Sequence, residues 1–403
     1  MKILVVCPKI PFPLTDGGRR AVYHTLAVLA GRGHEIALAC FAESDDRTSI
    51  EALEKICTLH PAFRSTRITF AAAFISLFRS TPFLVARFQD RKHLQVVLEI
   101  VRSGVDLVQV EGVHAAYYGI EIKKRFSVPV LLRHHHLASV NLAEFIPHHP
   151  NILARLFLRL EMFKMRKYER SISRFYDRFF LYTREDETAL HQLAPAAPTC
   201  VIPAGVDTGS FRPGDVKEEQ DSILWIGSLQ WPPNQDSFFW FYDVVFPLIL
   251  KEHPSAILSV AGSNPPQRIL RLKHPNLRIL GFVDDVKPVM HRASVCVVPL
   301  RAGSGIRIKL LEMFAMRKAV VSTTLGCEGL DVRDDVHLKI ADTAEEFALA
   351  VVALLKNPEK RSMLGMAALN HVREHFTWDA VVDRYEEVYQ ELLQSQPGVT
   401  KSA

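Results

Sequence analysis

Short apolar runs recur along this chain, and they constrain its fold more than any other feature. The first half holds "KILVV", "EIALACF", "DLVQV", "VPVLLR" and "RFFLYT"; the second holds "SILWIG", "AILSVAG", "LRILGF", "VCVVPL" and "AVVST". Stretches with apolar spacing near 3.6, such as "RRAVYHTLAVLAGRG" and "KHLQVVLEIVRSG", stand between them. A strand that is apolar throughout has to be covered on both faces, and amphipathic helices between such strands supply the cover. The pattern predicts parallel sheets of doubly wound α/β architecture. It occurs twice, and 403 residues are more than one hydrophobic core usually serves, so two domains are expected.

Residues 201–222, "VIPAGVDTGSFRPGDVKEEQDS", hold prolines, glycines and charge but little apolar period, which is the composition of a connector. The expected division is a domain over 1–202, a linker over 203–220, a second domain over 221–375 and a last element over 376–403. In that element, "FTWDAVVDRYEEVYQELLQ" predicts a helix with Thr377 as its N-cap and Asp379 in the first turn, and "SQPGVTKSA" reads as frayed. Ligands of open α/β sheets sit outside the carboxyl ends of the strands. With two such sheets, the expected site is a cleft between facing strand ends.

The charge balance is mild, with 49 Lys and Arg against 44 Asp and Glu for a net +5. It permits phosphate or anionic lipid as a partner and makes no case for nucleic acid. Cys7, Cys40, Cys57, Cys200, Cys296 and Cys327 are scattered without a C-x-x-C pair, and several fall in the apolar runs. They read as buried reduced thiols in a reducing compartment. The initial apolar run stops at Pro8, too short for the core of a signal peptide, and no run is long enough to span a membrane. The expectation is a cytoplasmic protein with membrane contact at most at its surface.

Residues 298–323, "VPLRAGSGIRIKLLEMFAMRKAVVST", bring a strand, a glycine turn and a charged helix together. A strand that ends in Gly303-Ser304-Gly305 and feeds a helix presents backbone N–H groups at the positive helix end, a cradle for an anion such as diphosphate. Such turns are common in α/β proteins, so the turn alone does not name its guest. Glu312 narrows the choice. Helical spacing puts it on one face with Gly305 and Lys309, where a carboxylate accepts hydrogen bonds from the hydroxyls of a ribose. The alternative is a solvated Lys–Glu pair, against which the apolar surround "LLEMFAM" counts. Arg307 suits a bidentate grip on phosphate oxygens, or ties the helix to the preceding loop; Lys309, on the face of Glu312, suits direct contact as a point charge.

At these residues the chain resembles the family 4 retaining glycosyltransferases of the GT-B fold, in which two doubly wound Rossmann-like domains face each other across a cleft. The likeness covers nearly the whole chain and is strongest over residues 281–330. "IPAGVD" resembles the family's interdomain "IPNGVD", with Ala204 in place of Asn, and "FTW" resembles the element that crosses back onto the N-terminal domain. The resemblance implies a nucleotide-sugar donor held by the second domain, a sugar, glycan or lipid-linked acceptor, a front-face retaining mechanism, and neither metal nor cofactor. Glu312 matches the second glutamate of the family's pair, the ribose ligand. The first glutamate falls at Ser304, which puts inferred donor-sugar recognition in question, although "GSGIRIK" looks like a recurring branch of the family. The family's Arg and Lys after the first strand of the second domain are missing from "GSLQWPPNQD", so Arg307 and Lys309 are expected to supply that charge. Gly227, Gly303, Ser304, Gly305 and Ile306 are carried over as donor-binding, and backbone around Gly281, Phe282 and Val283 as the nucleobase site.

The first domain adds further candidates. In "PFPLTDGGRR", Gly17 and Gly18 resemble the family's glycine loop, which approaches donor and acceptor; a simple tight turn reads equally well. Arg19 there meets phosphate or faces solvent. In "LLRHHHLASV", His135 falls where the family branch has "HN-x-E", with His136 for Asn and Ala138 for Glu, and is implied to contact the donor sugar. Neighbouring histidines on extended chain point to opposite sides, so His134, His135 and His136 are not expected to share a metal. Asp284 and Asp285 read as a helix N-cap rather than a metal motif. Residues 152–179 form a long basic amphipathic pattern, read either as a helix on anionic lipid or as a solvated domain face. Two rivals to glycosyl transfer remain: a nucleotide-sugar epimerase on the same fold, and a sugar-nucleotide-binding protein that has lost turnover, the latter motivated by Ser304.

Overall fold

The structure, a computed structural model, describes residues 1–43, 47–66, 74–148, 151–303 and 305–395. The chain forms two compact units. One comprises Met1–Pro203 together with the chain from Val381 onward; the other is Ala204–Ala380.

The first unit holds a seven-stranded parallel sheet in the order β3-β2-β1-β4-β5-β6-β7. Its strands are β1 (Lys2–Cys7), β2 (Glu35–Ala42), β3 (Thr58–Phe63), β4 (Leu107–Glu111), β5 (Val130–Arg133), β6 (Arg178–Leu181) and β7 (Thr199–Val201). The second unit holds a six-stranded parallel sheet in the order β10-β9-β8-β11-β12-β13. These are β8 (Ser222–Ile226), β9 (Ile257–Ala261), β10 (Leu277–Gly281), β11 (Val295–Val298), β12 (Val320–Ser322) and β13 (Lys339–Ile340). Both sheets wind outward in one direction and then restart on the other side of their first strand. The reversal falls between β1 and β4, and again between β8 and β11, and such a switch point is where open α/β sheets take ligands.

The helices that matter for the site are α1 (Gly17–Gly31), α2 (Ala138–Phe145) and α3 (Ile152–Ile172) in the first unit, and α4 (Pro232–Trp240), α5 (Lys287–Arg292) and α6 (Ile308–Ala315) in the second. A last helix, α7 (Trp378–Gln394), starts in the second unit and continues in the first.

Every apolar run named above forms a strand; all but one are central strands, covered on both faces, and the exception is β10, a half-buried edge strand. In β11, Val295 and Val297 join one core cluster with Ile223 and Trp225, while Cys296 and Val298 join a second with Leu224 and Leu310. The strands without such a run are β3, β7 and β13. Each lies at a sheet edge and is only half-buried, so its sequence carries no continuous apolar signal.

The connector docks on the start of α7. The Val206 N–H donates to the Phe376 carbonyl (2.8 Å), and a Cβ on Gly205 would come within 2.7 Å of the Trp378 ring. Thr377 caps α7 through its hydroxyl, which accepts from the Ala380 N–H (3.2 Å). The amphipathic pattern over 152–179 is shorter as a helix than expected. It stops at Ile172, because Arg178 and its neighbours are drawn into β6, where Arg178 pairs with Leu131. All six cysteines are free thiols, and Cys7, Cys40, Cys296 and Cys327 are buried. Among the described residues, no helix is long and apolar enough to cross a membrane.

Candidate active site

In the second unit, glycines stand side by side at the carboxyl ends of β8, β9 and β10. The Gly227 N–H donates to the Ala261 carbonyl (3.1 Å) and the Gly262 N–H to the Gly281 carbonyl (2.8 Å). A Cβ on Gly262 would lie 2.1 Å from the Gly227 carbonyl oxygen, so no larger residue fits between these strand ends. Gly227 thus sits at the switch point. Gly281, the exposed Phe282 and the half-buried Val283 lie at the β10 edge, with β9 between them and β8.

Beyond β11 the chain turns through Gly303 (φ 103°) and Gly305 (φ 87°), conformations that favour glycine. Ser304 lies outside the described residues, as do residues 396–403 of the tail. Arg307 ties this turn together: its guanidinium donates to the carbonyls of Gly303 (2.6 Å) and Gly305. Arg301 pins the loop to α4 through Asp236 (2.7 Å). The expected common face of Gly305, Lys309 and Glu312 is corrected here. Gly305 has left-handed backbone and α6 begins only at Ile308, so helical spacing relates Lys309 and Glu312 alone.

Lys309 reaches from α6 back to β8. Its Nζ donates to the Ile226 carbonyl (2.8 Å) and stands 5.3 Å from the centre of the Trp225 ring. Burial lowers the ammonium pKa, and the like charge of Arg307 adds to this, bringing it to about 7. Glu312 is buried on the same helix, and Ile306 packs on the core beneath the turn. The structure therefore brings Gly227, Gly303, Gly305, Arg307 and Lys309 to one switch point, with Glu312 one turn further along α6. The dipole of α6 starts there, and no side chain caps it from the Arg307 position.

In the first unit, Glu111 ends β4 and is fully buried. Its Oε2 accepts from Arg133 Nε (2.7 Å) and lies 3.4 Å from His135 Nε2, while Oε1 accepts from Gln109 Nε2 (2.5 Å). Arg133 donates further to the Thr25 hydroxyl on α1 (3.1 Å) and to the Tyr385 hydroxyl on α7 (3.0 Å). Burial alone would raise the Glu111 carboxyl, but Arg133 and His135 outweigh it and hold the group well below the carboxylate range. His135 is fixed at its other nitrogen too, with Nδ1 3.1 Å from the Tyr182 hydroxyl.

His135 and Gly18 are neighbours: a Cβ on Gly18 would stand 3.9 Å from His135 Nδ1. Gly17 and Gly18 do not form a loop; they are the first turn of α1, whose N-cap Asp16 accepts from the Arg19 N–H (2.9 Å). The Arg19 side chain folds back onto Thr15 (3.3 Å) and Asp16 (3.5 Å). His134 is buried and stacked on Phe179, and burial pushes its pKa to about 3 and that of His136 to about 4. Among the described residues, no group of three or more His, Cys, Asp or Glu side chains is placed to hold a metal ion. Asp285 accepts from the Lys287 N–H (3.0 Å), although the N-cap position of α5 itself is Val286.

Glu111, Arg133, Tyr385 and Gly262 were not among the residues singled out from the sequence. A charged residue closing an otherwise apolar run, as in "QVEG" and "LLRH", is the signal that points to the first two.

The family described as Glycosyltransferase Family 4 matches residues 15–210, and Glycosyl transferases group 1 matches residues 220–357. The chain belongs to the family 4 glycosyltransferases of the GT-B fold. A Klebsiella pneumoniae protein described as an uncharacterized 44.6 kDa protein in the cps region is 23% identical over 386 residues, 93% of this chain and 96% of that one. A GDP-mannose-dependent monoacylated alpha-(1-6)-phosphatidylinositol monomannoside mannosyltransferase of Corynebacterium glutamicum is 23% identical over 221 residues, 49% of this chain and 56% of that one. Among solved structures, sucrose-phosphate synthase from Thermosynechococcus elongatus superposes with a TM-score of 0.72 at 15% identity, covering 98% of this chain and 100% of that one. Anabaena HepE in complex with UDP gives 0.65 at 15% identity, covering 97% and 100%. These likenesses establish a shared fold, and the enzyme is a glycosyltransferase.

Proposed function

We propose that this glycosyltransferase moves a sugar from a nucleoside diphosphate to a sugar, glycan or lipid-linked acceptor, with retention of anomeric configuration and without a metal ion, in glycan, polysaccharide or glycolipid assembly. The observation that carries this reading is the half-buried Lys309, whose ammonium bonds the Ile226 carbonyl at the β8 end, next to the glycine turn and the start of α6. A desolvated cation at a helix N-terminus favours an anion strongly. The UDP-bound HepE structure and the GDP-mannose-dependent relative support a nucleotide-sugar donor.

In this reading Glu312 accepts from ribose hydroxyls and the glycine strand ends leave room for the nucleotide. Arg307 shapes the Gly303–Gly305 turn, and Lys309 meets the diphosphate. His135, held by Glu111 and Tyr182, is the first unit's candidate for contact with the donor sugar. The bond between the anomeric carbon and the diphosphate oxygen breaks, and the acceptor oxygen bonds to that carbon on the same face. The acceptor proton passes to the departing phosphate oxygen. The charge that develops on the diphosphate is stabilised by Lys309 and the α6 amides, which are in place before the reaction.

The test is a donor screen by thermal shift, followed by turnover of the stabilising nucleotide sugar and nuclear magnetic resonance of the product. Expected is a product with the donor's anomeric configuration, formed equally well in chelator. An inverted anomer removes retention, an epimerised free donor assigns the fold's epimerase chemistry instead, and binding without turnover assigns a binding protein. Activity that requires Mn²⁺ or Mg²⁺ removes metal independence.

A further inference from the structure

We infer that the outward face of α3, together with the turn at residues 74–78, docks on an anionic lipid bilayer. The rotation of α3 is set by its two acidic residues, which both point inward: Glu161 is 3% and Glu169 0% exposed. Glu161 accepts from the Phe83 N–H (2.6 Å) and lies 3.4 Å from the Ser76 hydroxyl. Lys164 pairs with Glu161 (2.9 Å) and donates to the Ser76 carbonyl (2.6 Å), so the turn is fastened to the helix. Glu169 accepts from the Ala138 and Ser139 amides (2.8 and 3.4 Å) at the start of α2.

With the acids turned in, apolar side chains are turned out. Leu153, Leu156, Leu160 and Phe163 are 77%, 66%, 39% and 67% exposed. At about 100° per residue they fall within an arc of about 80° on one side of the helix. The fastened turn adds Phe74 and Phe78, 63% and 80% exposed, whose rings stand 5.6 Å apart. Single exposed apolar residues are ordinary; a row of them beside two phenylalanines is a surface that something covers.

Charge says what covers it. Arg159, Arg166, Lys167 and Arg170 are exposed on α3, and no carboxylate of the helix accompanies them. Cations around an apolar stripe match a bilayer, with stems and rings among the acyl chains and charges at anionic headgroups. A twofold dimer through the same patch would set these cations against their own copies. The surface lies outside the donor chemistry proposed above, so its test stands or falls independently of that reading.

The experiment is flotation of the full chain with vesicles of phosphatidylcholine alone or with added phosphatidylglycerol. The protein is expected to float with the anionic vesicles, to remain behind with phosphatidylcholine, and to be released by high salt. Each cation near a charged bilayer changes partitioning about five-fold, so Arg159→Glu with Arg166→Glu is expected to weaken binding by at least about 25-fold. Leu156→Glu with Phe163→Glu is expected to abolish flotation. Leu349→Glu, at a 63% exposed site of the second unit, leaves it unchanged. Circular dichroism and thermal melting establish that each variant is folded, and its exposed positions make that the expected result. The inference is overturned if the native protein binds neither vesicle, if it binds both equally, or if the folded double variants float like the native chain. It is also overturned if sedimentation shows a dimer that the apolar double variant dissociates while vesicles bind nothing, which assigns the patch to a second copy.

Discussion

The switch points of the two sheets each hold a cation, fully buried in the first and half-buried in the second, and in opposite circumstances. In the first unit Arg133 lies against the Glu111 carboxylate and is locked by Thr25 and Tyr385, so its charge is satisfied within the protein. In the second unit Lys309 has a backbone carbonyl as its hydrogen-bond acceptor, and the charge that most affects it is the like charge of Arg307. A cation with its own carboxylate is scaffold, here the frame that holds His135. A desolvated cation whose strongest charged influence is another cation is poised for an anion from outside. One winding order therefore supports two different jobs, and the difference rests on whether a carboxylate ends the neighbouring strand.

The largest expected effect breaks the first of these sites. Glu111→Leu strands a buried guanidinium, and the loss expected is about 3–5 kcal/mol in denaturant unfolding. Lys309→Met removes a desolvated charge instead, and is expected to leave stability unchanged or raised. Equal losses from the two substitutions would abolish the contrast between scaffold and site.

Next in size is the effect of Lys309→Met on turnover. A preorganised donor to the developing charge contributes about 10²–10³ in kcat. The same variant is expected to bind the neutral nucleoside normally while losing the added affinity that the two phosphates provide. If that increment and turnover both survive, the diphosphate lies elsewhere.

Glu312→Ala sharpens the comparison within the second unit. Losing a charged acceptor of ribose hydroxyls is expected to weaken donor binding by about 1.5–3 kcal/mol, measured by calorimetry on the folded variant. Here it is the nucleoside affinity that falls, the reverse of the Lys309 result.

The smallest effect is a pH dependence. Lys309 in the free protein loses its proton above about pH 7, and a bound diphosphate restores the charged form. Donor binding at pH 8 is therefore expected to take up a proton, and affinity to fall by up to about ten-fold per pH unit above 7. Calorimetry in buffers of different ionisation enthalpy reads the uptake directly. An absence of uptake in the native protein, or an uptake unchanged in Lys309→Met, would detach Lys309 from the anion.

The central strands, the double α/β plan and the glycine turn before α6 were all readable from the amino-acid order. Burial on both faces forces continuous apolar runs, and left-handed backbone at Gly303 and Gly305 favours glycine, so each leaves a local mark. The half-buried edge strands β3, β7 and β13 left none, whereas β10, also a half-buried edge, kept its run. The start of α6 was read too early, because a 3.6-residue spacing does not reveal that Gly305 sits outside the helix. Partners were beyond reach altogether. Lys309 finds Ile226 across 83 positions and Arg133 finds Tyr385 across 252, and only the folded chain brings them together. The same holds for α3: its sequence showed a basic amphipathic helix, but the contacts of Glu161 and Glu169 decided which side faces outward. Periodicity is a property of neighbours along the chain. Charge compensation and the rotation of a helix are set by neighbours in space, and there the tertiary structure decided.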